Sequence, residues 1–154
     1  MFELSTVGAK VMYAVATTTG TRPTTGYIEL AGITKAPEID LSTEALESSN
    51  LSDKTKRYIP GVKDPGGEKS FTANNTSAFR TLWETFATEA ATAFATEKET
   101  YIAYVVDGDS DAYYWTGIPQ ELGHDGLEKN NIVTCSPKVI CTGIIGYAVK
   151  PTTV

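Results

Sequence analysis

The residue pattern predicts a mainly β domain with one helix packed on a sheet, and three observations carry that expectation. Threonine is frequent, and tyrosine and glycine occur eight and thirteen times, a composition suited to strands and turns. About seven short apolar or alternating segments are separated by turn formers. One stretch alone, Asn74 to Lys98, has helical periodicity.

Val11 to Ala16 (VMYAVA) reads as the first strand, followed by a polar stretch broken by Gly20 and Pro23. Tyr27 to Ile33 (YIELAGI) reads as the second. Alternation puts Tyr27, Glu29 and Ala31 on one face and Ile28, Leu30 and Gly32 on the other. Pro37 to Leu41 continues as an extended piece. From residue 42 to 67 the pattern changes to scattered apolar residues and many turn formers, which predicts a long loop. A loop of that length in a small domain is uncommon unless it has a function. Its charges are segregated: Glu38, Asp40, Glu44 and Glu47 come first, and Lys54, Lys56, Arg57, Lys63 and Lys69 follow. Such blocks fit pairing with a neighbouring copy, and they equally fit a solvated loop whose charges only confer solubility.

Glu68 to Ala73 (EKSFTA) is a further strand. The helix is placed over residues 76–98, with Thr76 or Ser77 as N-cap. Phe79, Leu82, Trp83, Phe86, Ala90 and Phe94 form its apolar stripe. One such stripe must be buried on something, here a sheet. Thr100 to Val106 and Ala112 to Ile118 flank the turn Asp107 to Asp111 (DGDSD), a hairpin signature. Asn131 to Val149 carries three more strands (NIVTC, KVICTG and IIGYAV), with Pro137 marking an edge or bulge.

A length of 154 residues fits one domain. No run of eighteen apolar residues suggests a membrane span, and the N-terminal text lacks the pattern of a secretory leader, so folding in a cytoplasm is expected. Cys135 and Cys141 read as small core hydrophobes kept as thiols. The net charge of −6 argues against groove-reading DNA binding, which relies on cations.

No catalytic, metal or cofactor site emerges. Asp107, Asp109 and Asp111 alternate like the start of an EF-hand loop, but its sixth and twelfth positions hold Ala112 and Ile118 instead of Gly and Glu. His124, the one histidine, sits in turn-like GHDG text with no nucleophile elbow elsewhere. Gly61 to Gly67 has neither Walker spacing nor a following helix. Tyr113, Tyr114 and Trp115 would furnish an aromatic platform only if they shared a face, and on a strand they alternate.

The text from Gly32 to Asn75 carries a family resemblance. Gly32, Ile33 and Pro37 are followed by Leu46, then Arg57, Ile59, Pro60, Gly61, Val62, Asp64 and Gly66, then Phe71, Thr72 and Asn74. This order, with a helix, an acidic-turn hairpin and paired C-terminal strands after it, resembles the major tail tube proteins of siphophages, the bacteriophages with long non-contractile tails. Residues 1–25 carry no resemblance. The family implies a β-sandwich or barrel-like domain, one flanking helix and a long inter-subunit loop. It implies rings of six subunits stacked into a hollow tube, with strands joining in an inner barrel. The tape-measure protein fills the lumen before DNA passes through without specific binding, and a tail terminator caps the tube. Related folds occur in contractile tails and type VI secretion tubes. The expected location is the virion tail, with assembly in the host cytoplasm. The absence of a following immunoglobulin-like domain suggests a smooth tube.

On this reading Leu46 and Leu51 are apolar anchors of the loop, and Lys54, Lys56, Arg57 and Lys63 are its pairing charges. Asp107, Asp109 and Asp111 are lumen or rim charges. An acidic wall would repel phosphates and let DNA slide. Two rivals remain: a tail terminator or secretion-tube-like ring protein, and a β-sandwich carbohydrate-binding module using Tyr113, Tyr114 and Trp115. An enzyme is not expected.

Overall fold

The computed structural model describes residues 3–40, 42–52, 54–64 and 67–152, without the side chains of residues 42–44 and 61–64. In chain order the elements are β1 (Lys10–Val15), β2 (Ile28–Glu29), β3 (Ile33–Lys35), β4 (Ser42–Glu47), β5 (Tyr58–Asp64), β6 (Glu68–Ser70), β7 (Thr72–Asn74), α1 (Ser77–Ala95), β8 (Thr100–Val105), β9 (Asp111–Pro119), β10 (Thr134–Cys135) and β11 (Lys138–Val149). The fold is mainly β with one helix. The strands form three antiparallel sheets, and no closed barrel exists among the described residues.

The main sheet has the order β2-β1-β8-β9-β11-β6. Its first face, carrying Tyr13, Ile102, Trp115 and Val139, is covered by α1. Thr76 caps α1, its Oγ1 accepting the Phe79 N–H at 3.1 Å. Phe79, Trp83, Phe86, Ala90 and Ala93 are buried along the helix. Phe86 stacks on Tyr13 with ring centroids 4.2 Å apart, and Trp83 Nε1 donates to the Gln120 carbonyl at 2.9 Å. Phe94 departs from the expected stripe and is exposed. In the last turn Ala93 faces the protein instead.

The second face is narrower, built on Met12, Ala103, Ala112 and Tyr114. The segment before β2 covers part of it: the Arg22 guanidinium lies 4.2 Å from the Tyr114 ring centroid, and Tyr27 packs at 5.9 Å. Cation–π contact and burial thus give residues 1–25 a structural task that no motif announced.

A second sheet, β10-β7-β3, closes one end of the first core. Two expected strands are split between sheets. The Tyr27 to Ile33 segment becomes β2 and β3 because Gly32 turns the chain at φ +102°, against the Phe79 ring. The Glu68 to Ala73 segment becomes β6 and β7, with Phe71 wholly buried at the crossover. Conversely, KVICTG and IIGYAV form one strand, β11, bulged near Gly143 and Gly146. Cys135 and Cys141 are buried free thiols on different strands. Burial comes first among the causes that raise both pKa values.

The third sheet corrects the expectation of a loop over residues 42–67. β4 and β5 form a two-stranded hairpin with Leu46 opposite Ile59 and Glu47 opposite Tyr58. Among the described residues, the two strands pair with each other and with no strand of the body.

Candidate assembly interface

Three features of the surface lack an intramolecular explanation: the hairpin arm, a groove at its root, and an open sheet edge. The arm is closed near its tip by the Ser48 N–H donating to the Arg57 carbonyl at 2.8 Å. The Arg57 N–H donates to Ser49 Oγ at 2.7 Å, and Asn50 Oδ1 accepts from the Ser52 N–H at 3.0 Å. These turn bonds hold the tip without burying anything. Leu46 is 43% exposed and Leu51 fully so, and Tyr58 and Ile59 are exposed beside them. A free two-stranded hairpin is marginal in water, and an exposed apolar group of this kind is what a partner surface would cover.

The sequence-predicted residues fall as follows. Leu46 lies on β4, Leu51 in the tip, and Lys54, Lys56 and Arg57 in the return to β5. All five are exposed. The Lys63 backbone stands opposite Thr43 in β5, and its side chain lies outside the described residues. The arm therefore carries its apolar and basic residues together near one end.

Asp107 and Asp109 lie in the β8–β9 turn, and Asp111 is the first residue of β9. Asp109 is not a free charge: its Oδ1 accepts the Asp111 N–H at 3.0 Å, while its own N–H donates to the Val106 carbonyl at 3.2 Å. These are local turn bonds. No group of three or more ligand-type side chains able to hold a metal ion exists among the described residues.

Beside this turn, Tyr104, Tyr113 and Tyr147 line an open groove of about 480 Å³ with Glu38, Asp109 and Asp111. Tyr113 and Tyr147 meet edge to face, their centroids 5.0 Å apart. Burial, then Tyr147 and Asp40, pushes the Tyr113 hydroxyl pKa up. Burial does the same at Tyr104, whose hydroxyl donates to the Pro37 carbonyl at 3.0 Å. No linear pattern marks this groove, because its residues come from three strands, the β8–β9 turn and the arm's root.

The groove opens onto the outer edge of β11. Beyond Cys141, whose N–H donates to the Gly67 carbonyl at 2.8 Å, β11 pairs with β9 alone among the described residues. This leaves about eight residues of edge available for pairing. Ile145, Tyr147 and Val149 are exposed along it, the last two at 73% and 71%. The rival aromatic platform fails at the same strands. Tyr114 and Trp115 are buried in opposite faces of the main sheet, and Tyr113 is half-buried. His124 is exposed, its Nδ1 2.6 Å from the Asp125 carbonyl oxygen.

The fold has solved counterparts in injection machines. A chain of the anti-feeding prophage baseplate, six-fold symmetrised, superposes with a TM-score of 0.56 at 8% identity, covering 87% of this chain and 88% of that one. A chain of the sheath–tube complex of an extracellular contractile injection system, in its extended state, gives 0.55 at 10% identity, covering 91% and 88%. The chain shares its fold with these two components. No protein-family description matches the sequence, and no curated protein does so. No helix among the described residues is long and apolar enough to cross a membrane.

Proposed function

We propose that this chain is a structural subunit of a phage tail tube, closing in sixes into rings that stack into a conduit for DNA. The observation that carries this reading is the shared fold along about nine tenths of both chains with components of a six-fold baseplate and a sheath–tube complex. The open β11 edge supports it, because ring closure gives an unpaired edge a strand from the next copy. The exposed arm supports it as a device for contact beyond the immediate neighbour. The net charge of −6 suits a passage through which DNA moves without sticking. The text around Ile59, Pro60, Gly61 and Val62 directs the reading toward long non-contractile tails, with a tape-measure protein and a tail terminator as further partners. The role is non-enzymatic, and the place of action is the virion tail after assembly in host cytoplasm.

The likeness to a baseplate chain favours a second reading, a ring protein that forms one terminal ring and no tube. Negative-stain electron microscopy of the purified protein at rising concentration separates the two. Long hollow tubes support the tube subunit, single rings support the terminal ring, and a protein that stays monomeric at every concentration overturns both.

A further inference from the structure

The tip of the arm is basic and the groove beside its root is acidic, so the two surfaces match each other. Residues 48–57 contain Lys54, Lys56 and Arg57 against Asp53 alone. At the root, Glu38, Asp109 and Asp111 line the groove formed with Tyr104, Tyr113 and Tyr147, and no cation lines it among the described residues. Tyrosine rings and carboxylates together suit a lysine or arginine head and the apolar stem that carries it. Leu51 at the tip supplies a fully exposed apolar group for the same surface.

The groove cannot receive its own arm. β4 runs outward for six residues from the root, which places the tip roughly 20 Å away. Its partner is therefore another molecule. The groove is also continuous with the free β11 edge through Tyr147, so a copy brought to that edge lies within reach.

We propose that the tip of one copy's arm, through Leu51, Lys54 and Lys56, docks in the tyrosine-and-carboxylate groove at the root of another copy's arm. The contact is head-to-tail: each copy offers a tip and a groove, and no copy meets its own kind of surface. Repetition of one such contact closes a ring or propagates a stack. This rests on the assembly reading above and adds the identity of the two surfaces that meet.

The test uses charge reversal on the full chain. One variant carries Lys54→Glu and Lys56→Glu, a second carries Glu38→Lys and Asp111→Lys, and a third carries all four. Each is exposed in the free chain, so circular dichroism should show the wild-type fold. Sedimentation and electron microscopy then give the concentration at which assembly begins. Each two-site variant should raise it on the order of tenfold or more, and the four-site variant should return it toward wild type. A cysteine pair gives a readout independent of reversal. Chains bearing Lys54→Cys should form disulfides with chains bearing Asp111→Cys, and neither should cross-link with itself. Wild-type assembly that survives all three variants unchanged, with no tip-to-groove cross-link, overturns the docking and leaves the assembly reading standing. A wild-type chain that never assembles and never cross-links overturns both.

Discussion

The Tyr104 hydroxyl donates to the Pro37 carbonyl at 3.0 Å, tying the root of the arm to the middle of the main sheet. Tyr104 also meets Trp115 edge on, with centroids 6.2 Å apart, so its ring is anchored in the core while its hydroxyl reaches the arm. Tyr104→Phe keeps the ring and loses the bond. It should cost about 1 kcal/mol of stability by urea titration. It should also speed proteolytic cleavage between residues 36 and 41 while sparing the body.

Removing residues 42–66 should leave a folded chain, because the hairpin pairs only with itself and its two ends lie side by side at Ser42 and Asp64. The expected result is a cooperative melt like that of the whole protein and no tubes by electron microscopy. Normal tubes from the deletion would remove the arm from assembly.

Phe86→Ala should cost about 3–5 kcal/mol, since the ring is fully buried between α1 and the main sheet, stacked on Tyr13 and edge-on to Trp83. Denaturant titration checks this. Phe94→Ala, on the same helix but exposed, should change stability by less than about 0.5 kcal/mol.

Gly117→Ala should destabilise by about 1–3 kcal/mol. A Cβ there would lie 2.5 Å from Val139 Cγ1 and 3.0 Å from the Ile140 carbonyl oxygen, both in the packed sheet. Gly123→Ala meets nothing within 4 Å and should be neutral. The pair is compared by thermal melts.

Tyr13 gives a pH signature. Burial first, and then the nearby Glu89 carboxylate, raises its pKa from 10.0 to about 12. The fold therefore favours the neutral phenol. Its contribution is whole below pH 10 and is lost as the pH climbs toward 12. Stability measured by circular dichroism should fall across that window, and Tyr13→Phe should flatten the fall.

The helix was legible because its apolar positions repeat against one sheet face, and Thr76 supplies its cap. The β8–β9 hairpin was legible because both strands lie in the core and the turn between them is acidic and glycine-bearing. The arm was not, because hydrophobic alternation marks a strand only where one face is buried. Here Leu46 and Ile59 are opposed in register yet both exposed. Gly143 read as a strand end in the sequence, but it lies at a bulge that leaves β11 continuous, and a second bulge falls at Gly146. Gly32 had the reverse effect, ending a strand that alternation appeared to continue. The groove has no linear signature at all, since Glu38, Tyr104, Tyr113 and Tyr147 become neighbours only once four separate segments are in place.

The separateness of the hairpin also sets an order of events. A body whose core excludes the arm can complete its own folding on the ribosome's schedule, while the arm's fit is decided later, by whatever it meets. Errors made in one stage are then not inherited by the other. On the assembly proposed above, a copy with a damaged arm is still a sound globule, and it would stop a growing polymer without poisoning the pool of precursors.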